Sequence, residues 1–544
     1  MAPYPYNDET VFSRFRAMAK SRPEQPFLRV LPDVAEAYAC ASGDISYGDM
    51  ASQVAARRDV LAAAGLPVGA RIGLYLFNTP DFFVNWLAAN ALGLSIVPLN
   101  PDLKRREADF IIAHSDMALM VATGQAPQML RDICSDSGLP LIGPAEAPPK
   151  LHVIADGLSG PQSRREAALL YTSGTTGQPK GCQLDQVYFL TAGDWYAALP
   201  APYNLRPGKE VMLTPLPMFH MNALAFSVMA MITTGGTLVP LDRFHPSRWT
   251  DAVRRSQATI LHYLGVMPSI LMQRPEDDRD RQHYVRFGFG AGVDRKLHAA
   301  FEARFGFPLI EAWAMTETGA GVCIAATGSQ RAVGHNCFGM ATPEMQTRIV
   351  DDAGQDVADG TLGELLVRRA GDDPRFGFFR AYLKDPDATD AAWDGGWFHT
   401  GDIVMRDSDG LFFFRDRKKN IIRRSGENIA ALEVETALMR HTGVTGLAVG
   451  PVPDPLREQE VACLVVPAPG VDAKSLYAEL FALAQEELAY FKAPGWFAAV
   501  ENLPLTGTQK LQRGALQSLL HTMYVSGALV DFRHQKSRSA RAAR

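Results

Sequence analysis

Between about residues 45 and 300, short apolar runs alternate with amphipathic stretches of about 10–15 residues. The runs include Arg71 to Leu76, Ser95 to Leu99, Met117 to Ala122 and Thr237 to Leu241. Such alternation is typical of βαβ units, in which helices cover both faces of a parallel sheet. It predicts an α/β fold whose large amino-terminal domain consists of layered βαβ sheets.

The pattern changes after residue 340. Gln346 to Val350 and Gly363 to Arg368 favour antiparallel strands, and so do Ile403 to Arg406 and Leu411 to Phe414. The last two runs are joined by a turn that ends in Asp-Gly, a strong hairpin signal. We expect a β-barrel-like subdomain in this part of the large domain.

A charged link, Asp416 to Asn420, precedes a shorter α+β pattern. The predicted domains are therefore residues 1–416, residues 417–530 as a small mobile α+β domain, and a basic tail over residues 531–544. Because the tail is rich in small and basic residues, we expect it to be disordered.

The net charge of −5 and the lack of a basic stripe before the last residues argue against nucleic-acid binding. Two long apolar stretches, Phe82 to Leu99 and Leu224 to Leu241, are interrupted by polar residues and glycines, which favours core over membrane spans. Six scattered cysteines and no secretory signal predict a cytoplasmic protein with free thiols and no integral membrane contact. His220 and His262 are isolated, and solitary histidines are usually packed or capping residues.

The loop Tyr171 to Gly181, with the sequence YTSGTTGQPKG, follows an apolar run. Glycines and hydroxyl residues after a strand can turn several backbone N–H groups toward one phosphate, and Lys180 adds a charge. The loop lacks the Walker pattern. A solvated turn between a strand and a helix is the alternative reading.

This loop resembles the hallmark of the adenylate-forming superfamily of acyl-CoA synthetases, adenylation domains and firefly luciferase, and further motifs follow in that family's order over essentially the whole chain. Within it, Pro217 to Asn222 and Arg424 to Ile429 look most like the crotonobetaine/carnitine-CoA ligase type. The resemblance implies that Lys180 is catalytic and that the nucleotide contacts the loop residues Thr172, Ser173, Gly174, Thr175, Thr176 and Gly177.

Ala314 to Thr318 is similar to the family's Met-Thr-Glu motif. The resemblance implies that Thr316 contacts a phosphate and that Glu317 binds Mg²⁺, since a hard carboxylate suits that ion. Taken alone, the same residues read as a helix cap. Trp313 stands where the family has tyrosine and would stack on adenine. Three further residues match the segment that borders adenine, namely Gly290, Ala291 and Gly292.

Gly396 to Asp402 resembles the family's ribose-binding motif, so Asp402 is expected to accept bonds from both ribose hydroxyls. By the same likeness Arg417 adds a second ribose contact, and Lys419 is the hinge of a domain rotation or else part of a solvated charge run. Lys510, near the carboxy terminus, matches the lysine that acts during adenylation.

For the acyl pocket, the family points to Phe219, His220, Asn222, Gly319 and Ala320. Small residues at the last two positions leave room, and Asn222 either orients a polar acyl tail or caps a helix. The resemblance also assigns a coenzyme A channel to Arg424, Gly426 and Glu427.

The predicted activity is an ATP- and Mg²⁺-dependent ligase that joins a small carboxylic acid to coenzyme A through an acyl-adenylate. A short or medium acid is favoured over a long fatty acid, with polar acids among the candidates. One alternative is an adenylating enzyme that serves a carrier-protein pantetheine, and another is a non-catalytic nucleotide-binding module. Whether the chain forms a homodimer is left open by the sequence.

Overall fold

The computed structural model describes residues 6–153, 160–172, 179–328, 331–351, 353–417, 421–504, 511 and 513–536. The strands are β1 Pro26–Val30, β2 Gly43–Ser46, β3 Arg71–Tyr75, β4 Ser95–Pro98, β5 Met117–Ala122, β6 Leu141–Ile142, β7 Glu166–Thr172, β8 Lys180–Asp185, β9 Val211–Thr214, β10 Thr237–Pro240, β11 Ile260–His262, β12 Phe287–Gly290, β13 Leu309–Trp313, β14 Ile324–Ala325, β15 Cys337–Met340, β16 Met345–Val350, β17 Leu362–Arg369, β18 Phe398–Arg406, β19 Leu411–Arg417, β20 Ile421–Arg424, β21 Glu427–Ala430, β22 Val444–Asp454, β23 Glu458–Pro467, β24 Trp496–Ala499 and β25 Val530–Asp531.

The α-helices of the described residues are α1 Val11–Ser21, α2 Pro32–Tyr38, α3 Tyr47–Ala62, α4 Pro80–Ala91, α5 Arg105–Ser115, α6 Gln128–Asp136, α7 Gln186–Ala197, α8 Val228–Thr234, α9 Trp249–Ser256, α10 Val266–Met272, α11 His298–Phe305, α12 Pro386–Ala392, α13 Ala431–Leu438, α14 Ala473–Glu487 and α15 Arg513–Val525. A π-helical turn, Asn222–Ser227, runs directly into α8. None of the described helices is long and apolar enough to span a membrane.

By their contacts the residues form two compact units. The first comprises residues 1–101, 112–170 and 181–416, and the second comprises residues 102–111, 171–180 and 417–544. The sequence-based division at residue 416 had placed residues 102–111 and 171–180 in the large domain.

Two of the first unit's sheets are mainly parallel, with the orders β14-β13-β12-β11-β9-β10-β1-β2 and β6-β5-β3-β4-β7-β8. Their inner strands are buried along their whole length, as β4 and β10 show, because helices cover both faces. The apolar runs of the sequence therefore became strands, and the two long apolar stretches became helix-to-strand passages in the core.

The third sheet of the first unit is antiparallel and has the order β15-β19-β18-β17-β16. β18 and β19 are joined by the expected turn, in which the Gly410 N–H donates to the Asp407 carbonyl oxygen at 3.1 Å. Positive φ at Gly410 (85°) is the conformation that this Asp-Gly turn needs. β18 carries Asp402 in its middle.

The second unit has one sheet, of order β21-β20-β23-β24-β25, with β22 paired to β23. The helices α13 and α14 and the strands share an apolar core that includes Val434, Leu480 and Phe497.

The expectation of a disordered tail from residue 531 is wrong for residues 531–536. β25 pairs with β24, the Phe532 ring packs into the core, and the Lys536 side chain is 1% exposed. Composition suggested disorder because basic residues outnumber the apolar ones here, whereas the pairing with β24, the buried Phe532 ring and polar contacts with the buried Asp454 and Glu460 hold the segment. Residues 537–544 lie outside the described residues.

Candidate active site

The residues that flank the glycine-rich loop end one strand and begin its neighbour in the sheet. Thr172 is the last residue of β7, Lys180 is the first of β8, and both are half-buried. The two ends of the loop therefore belong to neighbouring, hydrogen-bonded strands of one sheet. The loop residues themselves lie outside the described residues, namely Ser173, Gly174, Thr175, Thr176 and Gly177.

The turn after β13 carries Thr316 and Glu317. The Tyr188 hydroxyl donates to the Thr316 carbonyl oxygen at 2.9 Å, and the Phe379 N–H donates to the Glu317 carbonyl oxygen at 2.8 Å. The Glu317 side chain is 8% exposed, and its Oε1 accepts a hydrogen bond from the Tyr382 hydroxyl at 2.8 Å. The turn is thus fixed through its backbone and the carboxylate through a phenol.

Tyr382 was not singled out by the sequence. The segment that carries it runs alongside β8, where the Leu383 N–H donates to the Gly181 carbonyl oxygen at 2.8 Å. Burial, reinforced by the negative charge of Glu317, raises the pKa of Tyr382 far above its ordinary value. Tyr382 therefore stays protonated and acts as a neutral donor to Glu317.

Asp402 is 1% exposed, and its Oδ2 accepts a hydrogen bond from the Trp313 indole Nε1–H at 2.8 Å. The Asp402 N–H donates to Thr400 Oγ1 at 3.0 Å, and Thr400 Oγ1 donates to the Leu365 carbonyl oxygen at 2.7 Å. Positive φ at Gly401 (67°) lets the strand turn between these two residues. Asp402 is therefore held through its backbone N–H and through its side-chain carboxylate.

The Trp313–Asp402 bond joins two motifs that the sequence assigned separately to adenine and ribose. Trp313 is 6% exposed and packs against Phe338, with ring centroids 6.1 Å apart. Its stacking on adenine stays a prediction. Because both motifs were assigned to one nucleotide, their mutual contact could have been anticipated.

β12 ends at Gly290, where an added Cβ would stand 2.2 Å from the Tyr263 carbonyl oxygen. Beyond it, Ala291 is exposed and Gly292 is half-buried. The buried Glu311 carboxylate, whose pKa burial raises, accepts hydrogen bonds from the N–H groups of Gly292 and Val293 at 3.2 and 3.1 Å. Glycine is thus required by close backbone approach, and a carboxylate that sequence reasoning missed fixes the loop.

Phe219, His220 and Asn222 lie together on the approach to the π-helical turn, and all three are half-buried. The rings of Phe219 and His220 have centroids 4.7 Å apart, and the His220 carbonyl oxygen accepts from the Leu224 N–H at 3.0 Å. The structure thus gathers the first part of the predicted acyl pocket on one segment.

The expectation that small residues at 319 and 320 leave open room needs correction. An added Cβ on Gly319 would stand 2.3 Å from the Tyr188 ring, so the space beside this glycine is filled by protein. Ala320 has no exposed surface and belongs to the main core. The absence of a side chain at Gly319 thus accommodates the Tyr188 ring.

In the second unit, β20 and β21 form a hairpin whose turn residues, Ser425 and Gly426, both have positive φ (53° and 82°). Gly426 is exposed and Glu427 is half-buried, as a residue near a ligand channel can be. Arg424 is different, because it is 3% exposed and its Nε lies 2.9 and 2.8 Å from the two carboxylate oxygens of Glu460.

The Arg424 guanidinium therefore pairs with Glu460 inside the unit, and the assignment of Arg424 to a coenzyme A channel stays a prediction. Glu460 is fully buried and also contacts Lys536 Nζ at 2.6 Å. Burial, helped by the charge of Arg424, lowers the pKa of Lys536 to about 7. The positive charge of Arg424 is thus neutralised by Glu460 inside the unit.

Besides the five loop residues, three further predicted residues have no described side chain. Arg417 ends β19, and only its backbone is described. Lys419 and Lys510 lie outside the described residues. Among the described residues there is no group of three or more His, Cys, Asp or Glu side chains that could hold a metal ion.

Comparison with known proteins gives matches over most of the chain. The family model for AMP-binding enzymes matches residues 18–383, and the model for the AMP-binding enzyme C-terminal domain matches residues 433–510. Sulfoacetate–CoA ligase from Cupriavidus necator is 32% identical over 519 residues, which cover 93% of this chain and 97% of the relative. Crotonobetaine/carnitine–CoA ligase from Salmonella typhimurium is 29% identical over 496 residues (86% and 92%).

Among solved structures, o-succinylbenzoate CoA synthetase from Bacillus subtilis matches with a TM-score of 0.80. The match covers 94% of this chain and 98% of that one at 22% sequence identity. At this level of identity the likeness concerns the fold alone.

Proposed function

Because the chain belongs to the AMP-binding enzyme family, we propose that it is an ATP-dependent acid–CoA ligase that works through an acyl-adenylate and releases AMP and pyrophosphate. One observation carries the proposal. The Trp313–Asp402 hydrogen bond ties the ribose motif to the end of β13, four residues before Glu317. The carboxylate suited to the ribose and the carboxylate suited to the phosphate side thus belong to one rigid arrangement.

In the first half-reaction, an oxygen of the substrate carboxylate attacks the α-phosphorus of ATP, and the bond to the β-phosphate oxygen breaks to release pyrophosphate. Such a step needs two anions to be aligned and growing charge to be neutralised. The residues we assign to it are Asp402 and Arg417 for the ribose, Thr316 for a phosphate, and Lys180 and Lys510 for the developing charge. No protein nucleophile is required.

Magnesium fits this arrangement. Glu317 is a buried carboxylate held by a neutral phenol, so its negative charge remains available to a hard cation. Mg²⁺ commonly takes one or two protein carboxylates together with substrate phosphates, which agrees with a single carboxylate at this turn. When bound, the ion would shield the polyphosphate from the incoming carboxylate.

In the second half-reaction, the thiolate of coenzyme A attacks the acyl carbonyl carbon, and the bond to the AMP oxygen breaks. The β20–β21 turn supplies Gly426 and Glu427 as candidates for the pantetheine channel, while Arg424 shapes the turn from inside. Lys419 would serve as a hinge between the half-reactions.

The acid is proposed to be small and polar. The two curated relatives are named for crotonobetaine or carnitine and for sulfoacetate, all of them small and polar. In this chain Asn222 is a half-buried polar group beside Phe219 and His220 and is suited to orient such an acid. A cytoplasmic location stays a prediction from the sequence, and the sequence leaves the oligomeric state open.

The test is exchange of labelled pyrophosphate into ATP across a panel of small acids, followed by thioester formation with and without coenzyme A. We expect acid-dependent exchange and an acyl-CoA product. Exchange without transfer to free coenzyme A would favour a carrier-protein acceptor, and no exchange with any acid would favour a non-catalytic nucleotide-binding module.

The variant Lys510→Ala tests the assignment of the lysine. Adenylation is expected to fall about 10²- to 10³-fold, because one donor to the developing charge is lost. Thioester formation from supplied acyl-adenylate is expected to persist. Equal losses in both half-reactions would rule out this role for Lys510.

A further inference from the structure

A buried polar network lies beneath the predicted acyl pocket and is not used by the proposed reaction. At its centre is His262, the last residue of β11, which is fully buried. The His262 Nε2 lies 3.0 Å from the Tyr196 hydroxyl, and its Nδ1 lies 2.7 Å from Ser227 Oγ. Ser227 Oγ in turn lies 3.3 Å from the Asn222 carbonyl oxygen.

The hydrogens of this chain can be assigned by counting donors and acceptors. For the Tyr196 hydroxyl, the structure describes no acceptor other than His262, so the hydroxyl donates to Nε2. Nδ1 then carries the ring hydrogen and donates to Ser227 Oγ, and the Ser227 hydroxyl donates to the Asn222 carbonyl oxygen. The reverse order would leave the Tyr196 hydrogen buried without a described acceptor, which is unfavourable.

The ring carries no charge at working pH, since complete burial lowers the pKa of His262 to about 3. Its ring is buried and packs against two aromatic rings that also contact each other, with centroids 5.6 Å from Tyr196 and 5.4 Å from Phe289 at small interplanar angles. The ring therefore has neither the room nor the charge to act as a mobile acid or base.

The network joins three elements around the acyl segment. Tyr196 belongs to α7, Phe289 to β12, and Ser227 is the last residue of the π-helical turn. The half-buried Trp195 packs edge-on against Phe226 of that turn and against Phe289, with centroids 5.6 and 5.9 Å apart. β11 is a parallel strand, and ligands of such sheets bind at the carboxyl ends of their strands, where His262 stands.

A π-helical turn is rarer than an α-helical one and often occurs at functional sites. Here its first residue is Asn222, whose carbonyl receives the last hydrogen bond of the network. A neutral, fixed imidazole can hold this turn without placing a charge next to an acid substrate.

We propose that His262 is a positioning residue of the acyl pocket, which as the Nδ1–H tautomer holds the π-helical turn through Ser227 and so sets the place of Asn222 and the choice of acid. The inference rests on the proposed function. It identifies a residue that acts on the acid through the turn and makes no contact with ATP.

A matched pair of variants tests it, using the full chain and the acid from the panel that supports the fastest pyrophosphate exchange. His262→Asn keeps an N–H near the Nδ1 position and can still donate to Ser227, whereas His262→Gln places its amide near Nε2. Both variants remove the ring, so both should lower the Tm similarly. We expect the KM for the acid to rise about 10-fold or more in His262→Gln and less than about 3-fold in His262→Asn, since about 1.4 kcal/mol separates a held turn from a released one. The KM for ATP should stay within about twofold in both.

Further measurements distinguish failure of the proposed role of His262 from failure of the proposed ligase activity. The ¹⁵N signals of the His262 ring, assigned by their loss in His262→Asn, should show a protonated Nδ1 and a bare Nε2, and a protonated Nε2 would overturn the inference. Equal rises of the acid KM in the two variants, or an ATP KM that moves as much as the acid KM, would also overturn it while the wild-type chain still exchanges pyrophosphate. A wild-type chain that is inert with every acid would overturn the proposed function and the inference with it.

Discussion

In the first unit, Glu317 and Asp402 each accept a hydrogen bond from a neutral donor, a phenol and an indole. In the second unit, Glu460 lies against the Arg424 guanidinium and against the Lys536 amine, which its pKa of about 7 leaves partly charged at neutral pH. A carboxylate that is oriented by neutral donors keeps its negative charge for a ligand, whereas one that is paired with cations spends its charge on the fold. The hydrogen-bond partners of a buried carboxylate thus indicate whether it is available to a ligand or instead stabilises the fold.

Another buried carboxylate of the second unit, Glu433, is also bound to a cation, Lys492. Lys492 contacts both Glu107 and Glu433, the latter at 2.6 Å, and all three side chains are buried. One cation balances only one of two carboxylates, so the second negative charge is costly. Burial, followed by the charge of Glu107, accordingly raises the pKa of Glu433 to about 7.

The largest effect is expected from Glu460→Leu. The substitution leaves Arg424 and Lys536 buried without their anion, which should cost about 3–5 kcal/mol of stability in the second unit. Hydrogen exchange of β22 and β23 peptides in the full chain measures this loss. The control is the triple variant Arg424→Met, Glu460→Leu, Lys536→Met, in which no charge is left unpaired, and which should lie near the wild type. Equal hydrogen-exchange protection of β22 and β23 in Glu460→Leu and the wild type would show that Glu460 does not stabilise the second unit in this way.

A somewhat smaller effect is expected from pH. The pKa of Glu433 in the folded chain, about 7, lies above its ordinary value of 4.5. Its contribution to stability is therefore fully present below pH 4.5 and is lost as pH rises through 7, a change of about 3 kcal/mol in the free energy of unfolding. Glu433→Gln should remove this fall, so that the variant gains on the wild type between pH 5 and pH 8. Denaturant unfolding at both pH values checks it, and a gap that does not change with pH would contradict the pKa shift.

Much of the fold could be predicted because local pattern and tertiary burial coincide. The run Met117 to Ala122 became β5 without a shift, and the Asp-Gly turn became the β18–β19 connection. Apolar periodicity and turn residues are properties of neighbouring positions, and so they are visible in the sequence.

The partners of the site residues could not be predicted in the same way. Tyr382 reaches Glu317 from 65 positions away, and Glu460 reaches Arg424 from 36. Arg424 looked exposed because it adjoins a glycine turn among charged residues. Which charge faces inward depends on a partner from a distant strand, and one sequence carries no sign of that pairing.

The next effect in size is expected at Trp313. Trp313→Phe keeps a ring but removes the donor to Asp402, and a hydrogen bond to a charged group contributes about 2 kcal/mol, equivalent to about 30-fold. We expect this loss in the KM for ATP, since Asp402 would no longer be oriented. Trp393→Phe is the matched control, because the Trp393 indole is buried in the same unit and its N–H has no partner among the described residues. Equal KM values for ATP in the two variants would rule out a role for the Trp313–Asp402 hydrogen bond in ATP binding.

The smallest effect is expected from Tyr382→Phe. Tyr382 is half-buried, so water can replace part of its hydrogen bond to Glu317, and about 1 kcal/mol or 5-fold should be lost. If the phenol orients the carboxylate for Mg²⁺, the loss appears as a higher Mg²⁺ concentration at half-maximal pyrophosphate exchange. Tyr188→Phe is the control, because its hydroxyl holds the same turn through the Thr316 carbonyl and not through the carboxylate. A lower Mg²⁺ requirement in Tyr382→Phe would instead mean that the phenol competes with the ion for Oε1. The neutral donor would then make the Glu317 carboxylate less available to Mg²⁺, contrary to the comparison.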